Sequence, residues 1–361
     1  MREVGIIGAG PAGLCLAVSL AQRGVDCVVF ERGELGGDKA CGEGLMPKGL
    51  AVLERLGARA RLDPAFCSPF RGIRYVQEDG SAAEAPVPGG GLGVRRTALM
   101  AALLSRAREL GVELRAKTAV RSHRLEAGQA VVGTDDGESA FRLLVAADGL
   151  ASPARKAAGL DVPVEGVARY GLRQHFRRAA WSDCVEIHFG PGAEGYVTPA
   201  GPDRIGVAFL FTRSPEERLD FDALLARFPA LAERLKGTAV DSEPRGAGPF
   251  LRRVKAPVRG RLALLGDAAG YVDAITGEGL SLAFQSAWTL AEAIPEALAG
   301  DHAEQVLWRW GRSREQAYRH YALWAHGLLE IARRPMLRRN VVRLLARAPR
   351  AFTWFVQQAV G

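Results

Sequence analysis

Gly8-Ala9-Gly10-Pro11-Ala12-Gly13 is the feature that most limits what this chain can fold into. It sits between an apolar run over residues 3–8, which reads as a buried strand, and a helical pattern over 11–23. A second apolar run, 25–31, closes on Glu31. Strand, glycine turn, helix and second strand in about thirty residues form a βαβ unit. Each glycine has its own reason. Gly8 permits the tight turn, Gly10 lets backbone approach a pyrophosphate, and Gly13 lets helix and strand pack closely. The helix start then offers free N–H groups and a favourable dipole to phosphate oxygens. Glu31 would accept hydrogen bonds from an adenosine ribose and, being acidic, disfavours a 2′-phosphate there. Ala12 and Arg32 complete the expected binding set. Spacing alone does not choose between FAD and NAD.

Further along, a helical pattern spans 46–57, and strand–turn–strand spans 72–94, closed by Pro86, Pro88 and Gly89-Gly90-Gly91. A helix over 96–110 and a short strand over 112–116 follow. A meander over 118–147 ends in Leu143-Leu144-Val145-Ala146-Ala147. Strands are expected at 167–177, 184–189, 194–199 and 204–212, short helices over 216–236, a strand at 261–265 and a long helix over 278–299. Beyond 302 the pattern is helical. This interleaving suggests a discontinuous nucleotide domain carrying an inserted sheet domain.

Two later motifs choose FAD. One is Ala147-Asp148-Gly149, running on to Arg155. The other is Gly266-Asp267-Ala268-Ala269-Gly270, followed by Gly277-Glu278-Gly279-Leu280 and a helix. With the glycine fingerprint and Arg96-Thr97-Ala98-Leu99, they come in one order over most of the chain. In them the chain resembles the flavin enzymes of the p-hydroxybenzoate hydroxylase and geranylgeranyl reductase superfamily. The resemblance implies an α/β fold. It comprises a Rossmann-like FAD-binding domain of the glutathione-reductase-like flavoprotein type, a mostly antiparallel β-sheet substrate domain, and a C-terminal helical segment. The expected division is 1–72, 95–165 and 255–300 for FAD, 73–94 and 166–254 for substrate, and 301–361 for the helices. It further implies that Asp267 bonds the ribityl chain and Arg96 reaches the pyrophosphate or ribityl side. Asp148 would lie beside the pyrophosphate. The backbone of Gly277, Gly279 and Leu280, at a helix N-terminus, would face the flavin ring. A second nicotinamide-binding βαβ unit is missing, so NAD(P)H is expected only as a transient reductant.

The resemblance leaves two chemistries open, and in each the flavin does the hard step. Monooxygenation, by hydroxylation or epoxidation through a flavin C4a-hydroperoxide, is the commoner use of such a scaffold. The alternative is geranylgeranyl-reductase-like reduction of an isoprenoid C=C bond. Lys39-Ala40-Cys41-Gly42-Glu43-Gly44-Leu45 resembles the reductase side, where a Cys-Gly loop approaches the flavin. Halogenation and a non-catalytic flavin-binding role rank lower, because the Trp-x-Trp-x-Ile-Pro signature is absent. Cys41 reads either as a proton-giving group or as a small packing residue. Tyr196, in Gly195-Tyr196-Val197-Thr198-Pro199, could donate a hydrogen bond to substrate or merely cap the sheet. Neither His175 nor His188 is expected to be catalytic.

Composition narrows the partners. The chain has 361 residues, a net charge of +8 and five Cys. None of the Cys are at CxxC spacing, so no metal site is expected, and the set fits a cytoplasmic protein. Neither a signal peptide nor a transmembrane run is expected. No basic-plus-aromatic pattern suggests nucleic acid. The tail is different: seven Arg lie between 333 and 350. Leu337, Val341, Leu344, Leu345 and Ala348 are expected on one helical face. That segment reads as a docked helix with a solvated Arg face, as a peripheral membrane contact, or as the wall of a tunnel for an apolar substrate.

Overall fold

The computed structural model describes residues 1–165, 167–213, 217 and 219–360, with side chains through Gln358. The chain opens β1 (Arg2–Ile7), α1 (Pro11–Ala21), β2 (Cys27–Phe30), β3 (Gly44–Leu45), α2 (Pro47–Arg55), β4 (Cys67–Val76), β5 (Ala82–Val94) and α3 (Arg96–Glu109). It continues β6 (Glu113–Arg115), β7 (Val120–Glu126), β8 (Gln129–Thr134), β9 (Gly137–Ala146), α4 (Pro153–Ala157) and β10 (Asp161–Val162). Then come β11 (Arg169–Phe176), β12 (Cys184–Gly190), β13 (Ala193–Gly201), β14 (Arg204–Thr212), α5 (Phe221–Leu225) and α6 (Pro229–Leu235). The last strands are β15 (Arg245–Ala247), β16 (Arg253–Val254), β17 (Val258–Arg259) and β18 (Leu262–Leu264). They precede α7 (Gly279–Ala299), α8 (Ala303–Arg333), α9 (Pro335–Arg347) and α10 (Pro349–Val360).

Two sheets divide the strands. The first runs β17-β18-β9-β1-β2-β6, with β7 and β8 beside β9. Its central pairs β18–β9, β9–β1, β1–β2 and β2–β6 are parallel. Buried parallel strands need apolar side chains on both faces, and Val4, Ile6, Val28, Val29, Leu143, Leu144, Val145, Leu262 and Leu264 meet that need. Helices α1, α3 and α7 cover one face through Leu14, Leu16, Leu99, Leu103, Phe284 and Leu290.

The second sheet runs β15-β11-β14-β13-β12-β4-β5-β3. It includes β3 and all of β4 from Cys67, so strand membership begins earlier than residue 73. One face packs on α5 and α6 through Phe209, Phe221 and Phe228, with the Phe209 and Phe228 rings stacked at 5.2 Å. The other face, with Ile73, Ile187 and Leu210, meets Tyr321, Leu329, Phe352 and Val356 of the C-terminal helices.

Two local expectations are corrected. The prolines do not close the strand–turn–strand unit: its turn lies at Gln77–Ser81 and the second strand runs on to Val94. Pro86, Pro88 and Gly89–Gly91 lie inside β5, where Val87 to Gly90 bulge opposite the single Arg71. A bulge tolerates proline because its residues leave the ladder. In α9 the inward face carries Arg338, Val341, Val342 and Leu345, while Leu337 and Leu344 point out, 42% and 65% exposed. Arg339, Arg343, Arg347 and Arg350, expected on the other face, are exposed. Arg338 is buried and donates to Gln77, to Glu78 at 3.0 Å and to the Ala332 carbonyl. The start of the short helices expected at 216 and the boundary expected at 166 lie outside the described residues.

Candidate active site

The carboxyl ends of β1, β2, β9 and β18 open on one side of the first sheet, the position where open α/β sheets bind ligands. Here they meet the second sheet around a cavity of about 730 Å³. Gly8, Gly10, Ala12, Glu31, Arg32, Cys41, Arg96, Asp148, Tyr196, Asp267, Gly277, Gly279 and Leu280 all line it. Gly13 alone of the predicted set does not, because it faces inward. A Cβ there would lie 2.0 Å from the Gly8 carbonyl oxygen. At Gly8, with φ +104, a Cβ would meet the Ala147 carbonyl oxygen at 2.5 Å. Gly10 is the opposite case: a Cβ would meet nothing within 4 Å, since the position faces the cavity.

Several features fit FAD. The α1 N-terminus has Pro11 at its first turn, no capping side chain and no acid, so its amides are free for phosphate oxygens. Glu31 bridges this turn, accepting from the amides of Ala9 (3.0 Å) and Gly33 (3.2 Å) at the cavity edge. Asp267 is held in a short 3-10 turn whose Gly266 rests against Ala12. No protein group among the described residues donates to its carboxyl. Desolvation raises the Asp267 pKa, partly offset by Arg96 and Arg314. Such a carboxyl suits hydroxyl groups of a bound cofactor, and Arg96 has its buried Nε unpartnered beside it.

Asp148, at the cavity wall, also has a local role. Its oxygens accept from Ser152 Oγ (2.6 Å) and the Ala154 amide (3.0 Å), so the carboxylate caps α4. Arg155, fully buried, then ties this turn to the next. It donates to the carbonyls of Leu150 (2.9 Å) and Ala268 (3.1 Å) and pairs with Asp161.

Tyr196 faces the cavity but donates its hydroxyl proton to the Ile275 carbonyl at 3.0 Å. That bond supports the 272–277 loop. Burial holds the Tyr196 pKa well above the usual value. The same loop is pinned by Asp273, which accepts from the buried Arg169 (2.8 Å) and from the Ile275 amide (3.0 Å). Cys41 lines the same cavity. Burial raises its pKa above the usual thiol value, with Arg96 pulling the other way, which favours the thiol over the thiolate.

Outside the sequence motifs stands a buried polar cluster next to the Cys41 loop, formed by Asp38, Glu43, Arg173, His175 and Ser242. One signal for it existed. Arg169, Arg173 and His175 alternate along a strand whose alternate residues are buried, which places charge on an inward face. Glu43 also adopts φ +60, at a cost of about 1 kcal/mol for a residue with a Cβ.

Residues 1–324 match the FAD binding domain family. The chain belongs to that family. It is an FAD-dependent oxidoreductase. Digeranylgeranylglycerophospholipid reductase 1 of Methanopyrus kandleri is 30% identical to this flavoprotein over 83% of this chain and 82% of that one. Menaquinone reductase of Mycolicibacterium smegmatis is 28% identical over 83% and 78%. The structure of p-nitrophenol 4-monooxygenase from Pseudomonas putida DLL-E4 shares the fold, with TM-score 0.84 and 19% identity over 100% of this chain and 98% of that one.

Two predictions follow from this geometry. Gly10→Ala should fold with stability within ~0.5 kcal/mol of wild type yet bind FAD at least ~10-fold more weakly by fluorescence titration, whereas Gly13→Ala should fail to fold or melt far lower. Equal behaviour of the two variants would contradict the assignment. Glu278 at the α7 start is buried, its Oε1 unpartnered, and desolvation raises its pKa from 4.5 to about 8 against the pull of Lys48. Between those values the unfolded chain has lost this proton while the folded one keeps it, so stability falls as pH rises through the window. Glu278→Gln should therefore gain at least ~1 kcal/mol over wild type on going from pH 4.5 to above pH 8, read from denaturant melts at each pH.

Proposed function

We propose that this flavoprotein reduces a C=C bond of a long isoprenoid-like molecule, with NAD(P)H as a transient source of electrons. The observation that carries the reading is the Cys41 loop. It lines one cavity together with the Gly277–Leu280 turn, and the same cavity carries an apolar wall. Ile73, Ile187, Leu210 and Phe250 form that wall of the chamber, closed by Leu328 of α8 and Phe355 and Val356 of α10. Apolar walls of this kind suit a chain with few polar groups. The relatives named as reductases of a digeranylgeranyl lipid and of menaquinone support the same class.

FAD bound here and reduced by NAD(P)H would supply two electrons with one proton; a saturated product needs a second proton. The protein's part follows from its side chains. The free amides at the α7 start stabilise negative charge at the cavity wall. Cys41, held as a thiol, can give the second proton and regain it from solvent. The helices exclude water from the chamber.

The exposed face of the tail supports a membrane contact in the same reading. Met336, Leu344 and Trp354 are 80%, 65% and 57% exposed. Arg347 and Arg350 stand near them without an acidic partner among the described residues. An anionic bilayer would accept both groups and would hold the substrate.

The reaction is tested by reducing the FAD-loaded protein anaerobically and mixing it with a digeranylgeranyl phospholipid. Flavin absorbance should return to the oxidised form as the lipid gains two hydrogens by mass. Cys41→Ala should keep FAD but slow that step about 100-fold. If the lipid leaves the flavin reduced, while oxygen with an aromatic acceptor yields a distinct absorbance phase and a hydroxylated product, monooxygenation is the activity. For the membrane contact, the protein should sediment with phosphatidylglycerol vesicles and not with phosphatidylcholine, and Arg347→Glu with Arg350→Glu should release it. Equal recovery with both vesicle types would reject an electrostatic contact.

A further inference from the structure

The polar cluster next to the Cys41 loop has no part in the chemistry described so far, yet it joins three separate elements. Glu43 is at its centre. One carboxylate oxygen accepts from the Arg96 amide at 2.8 Å. That amide opens α3, whose own N-cap residue offers no side-chain hydrogen bond, so Glu43 caps the helix from a distant loop. The other oxygen meets His175 Nε2 at 2.5 Å. His175 Nδ1 lies 2.9 Å from Arg173 Nη1 and 2.8 Å from Ser242 Oγ. A guanidinium can only donate, so Nδ1 accepts and the ring proton sits on Nε2, directed at Glu43. Arg173 is in turn fixed by Asp38 at 2.6 Å and the Lys39 carbonyl at 3.0 Å, both in the Cys41 loop.

The consequence reaches the thiol through the backbone. Among the described residues, Glu43 is one of three other than glycine with positive φ, and the only one of them that lines the cavity. In that conformation its amide donates to Cys41 Sγ at 3.4 Å, and its carbonyl accepts from the Val94 amide at 2.8 Å. A sulfur that accepts on one side keeps its own S–H free for the cavity. Strain held in place at such a point indicates a functional constraint.

We propose that Glu43 and His175 are positioning residues that hold the Cys41 thiol, sulfur accepting and S–H facing the cavity. The proposal rests on the reductase reading for what the thiol does, and not for where it is held.

The test measures placement without turnover. FAD-loaded protein is alkylated with iodoacetamide, and each cysteine is followed by peptide mass spectrometry, with Cys67 and Cys184 as internal references. Glu43→Gly keeps the backbone conformation comfortable but removes both anchors, and His175→Ala removes one. Each should speed Cys41 alkylation at least ~10-fold and leave the reference cysteines unchanged. Loss of the Glu43 carboxylate also removes a charge that holds the thiol pKa up, so the alkylation profile should move to lower pH in Glu43→Gly. His175→Gln, whose amide can still donate to Glu43, should restore most of the protection. Unchanged Cys41 rates in both disruptive variants would overturn the proposal, as would a uniform rise at all cysteines or no recovery in His175→Gln. If Glu43→Gly does not fold, the histidine pair alone decides. Altered alkylation with normal lipid reduction would leave the positioning intact and remove the thiol from catalysis.

Discussion

Everything at the cofactor end depends on how closely three backbone turns approach one another. Gly8 presses on the Ala147 carbonyl, Gly13 on the Gly8 carbonyl, and Gly266 on Ala12. Three parallel strands therefore end close together, with nothing larger than an alanine methyl at these contacts between their turns. The approach is possible only without a Cβ at these places, and the apolar strands hold it from behind. Once the turns are that close, the free amides of α1, the carboxyl of Asp267 and the turn carrying Asp148 must border one space. Arg155 fixes the last of these distances by bonding two of the turns at once.

The substrate side is built on a different principle. The second sheet buries charge on its inward face: Arg169 between Glu194 and Asp273, and Arg173 beside Asp38 and His175. Buried ion pairs of this kind contribute little net stability, because desolvation offsets the attraction. What they do here is position. Each ends on a loop that faces the cavity, Asp273 on the 272–277 turn and Asp38 on the Cys41 loop. Apolar replacements could fill the same volume but would not choose one loop conformation.

The C-terminal helices complete the chamber. Arg338 docks α9 onto the β4–β5 turn through Glu78 and Gln77, and α10 then places Phe355 and Val356 in the wall. These residues lie beyond the segment matched by the family. The family fold thus supplies the cofactor site, and the tail shapes what can lie beside it.

Much of this was legible in the sequence, because the signals were local. A glycine fingerprint between two apolar strands and an acid at the second strand's end determined the first sheet and its cofactor side. The motifs at 147–155 and 266–280 named the residues that border the cavity. The bulge in β5 was not legible, since prolines and glycines signal a turn wherever their partner strand is unknown. The outward Leu337 and Leu344 were missed because a helix's buried face is set by what it docks on, here by Arg338. Nor could spacing show that Glu43 and His175, 132 positions apart, would meet. The sequence by itself determined which backbone turns can exist and which cofactor they suit, since those follow from Cβ sterics and strand periodicity. Only the tertiary structure decided where each proton goes, because a hydrogen bond depends on the partner that folding brings within 3 Å.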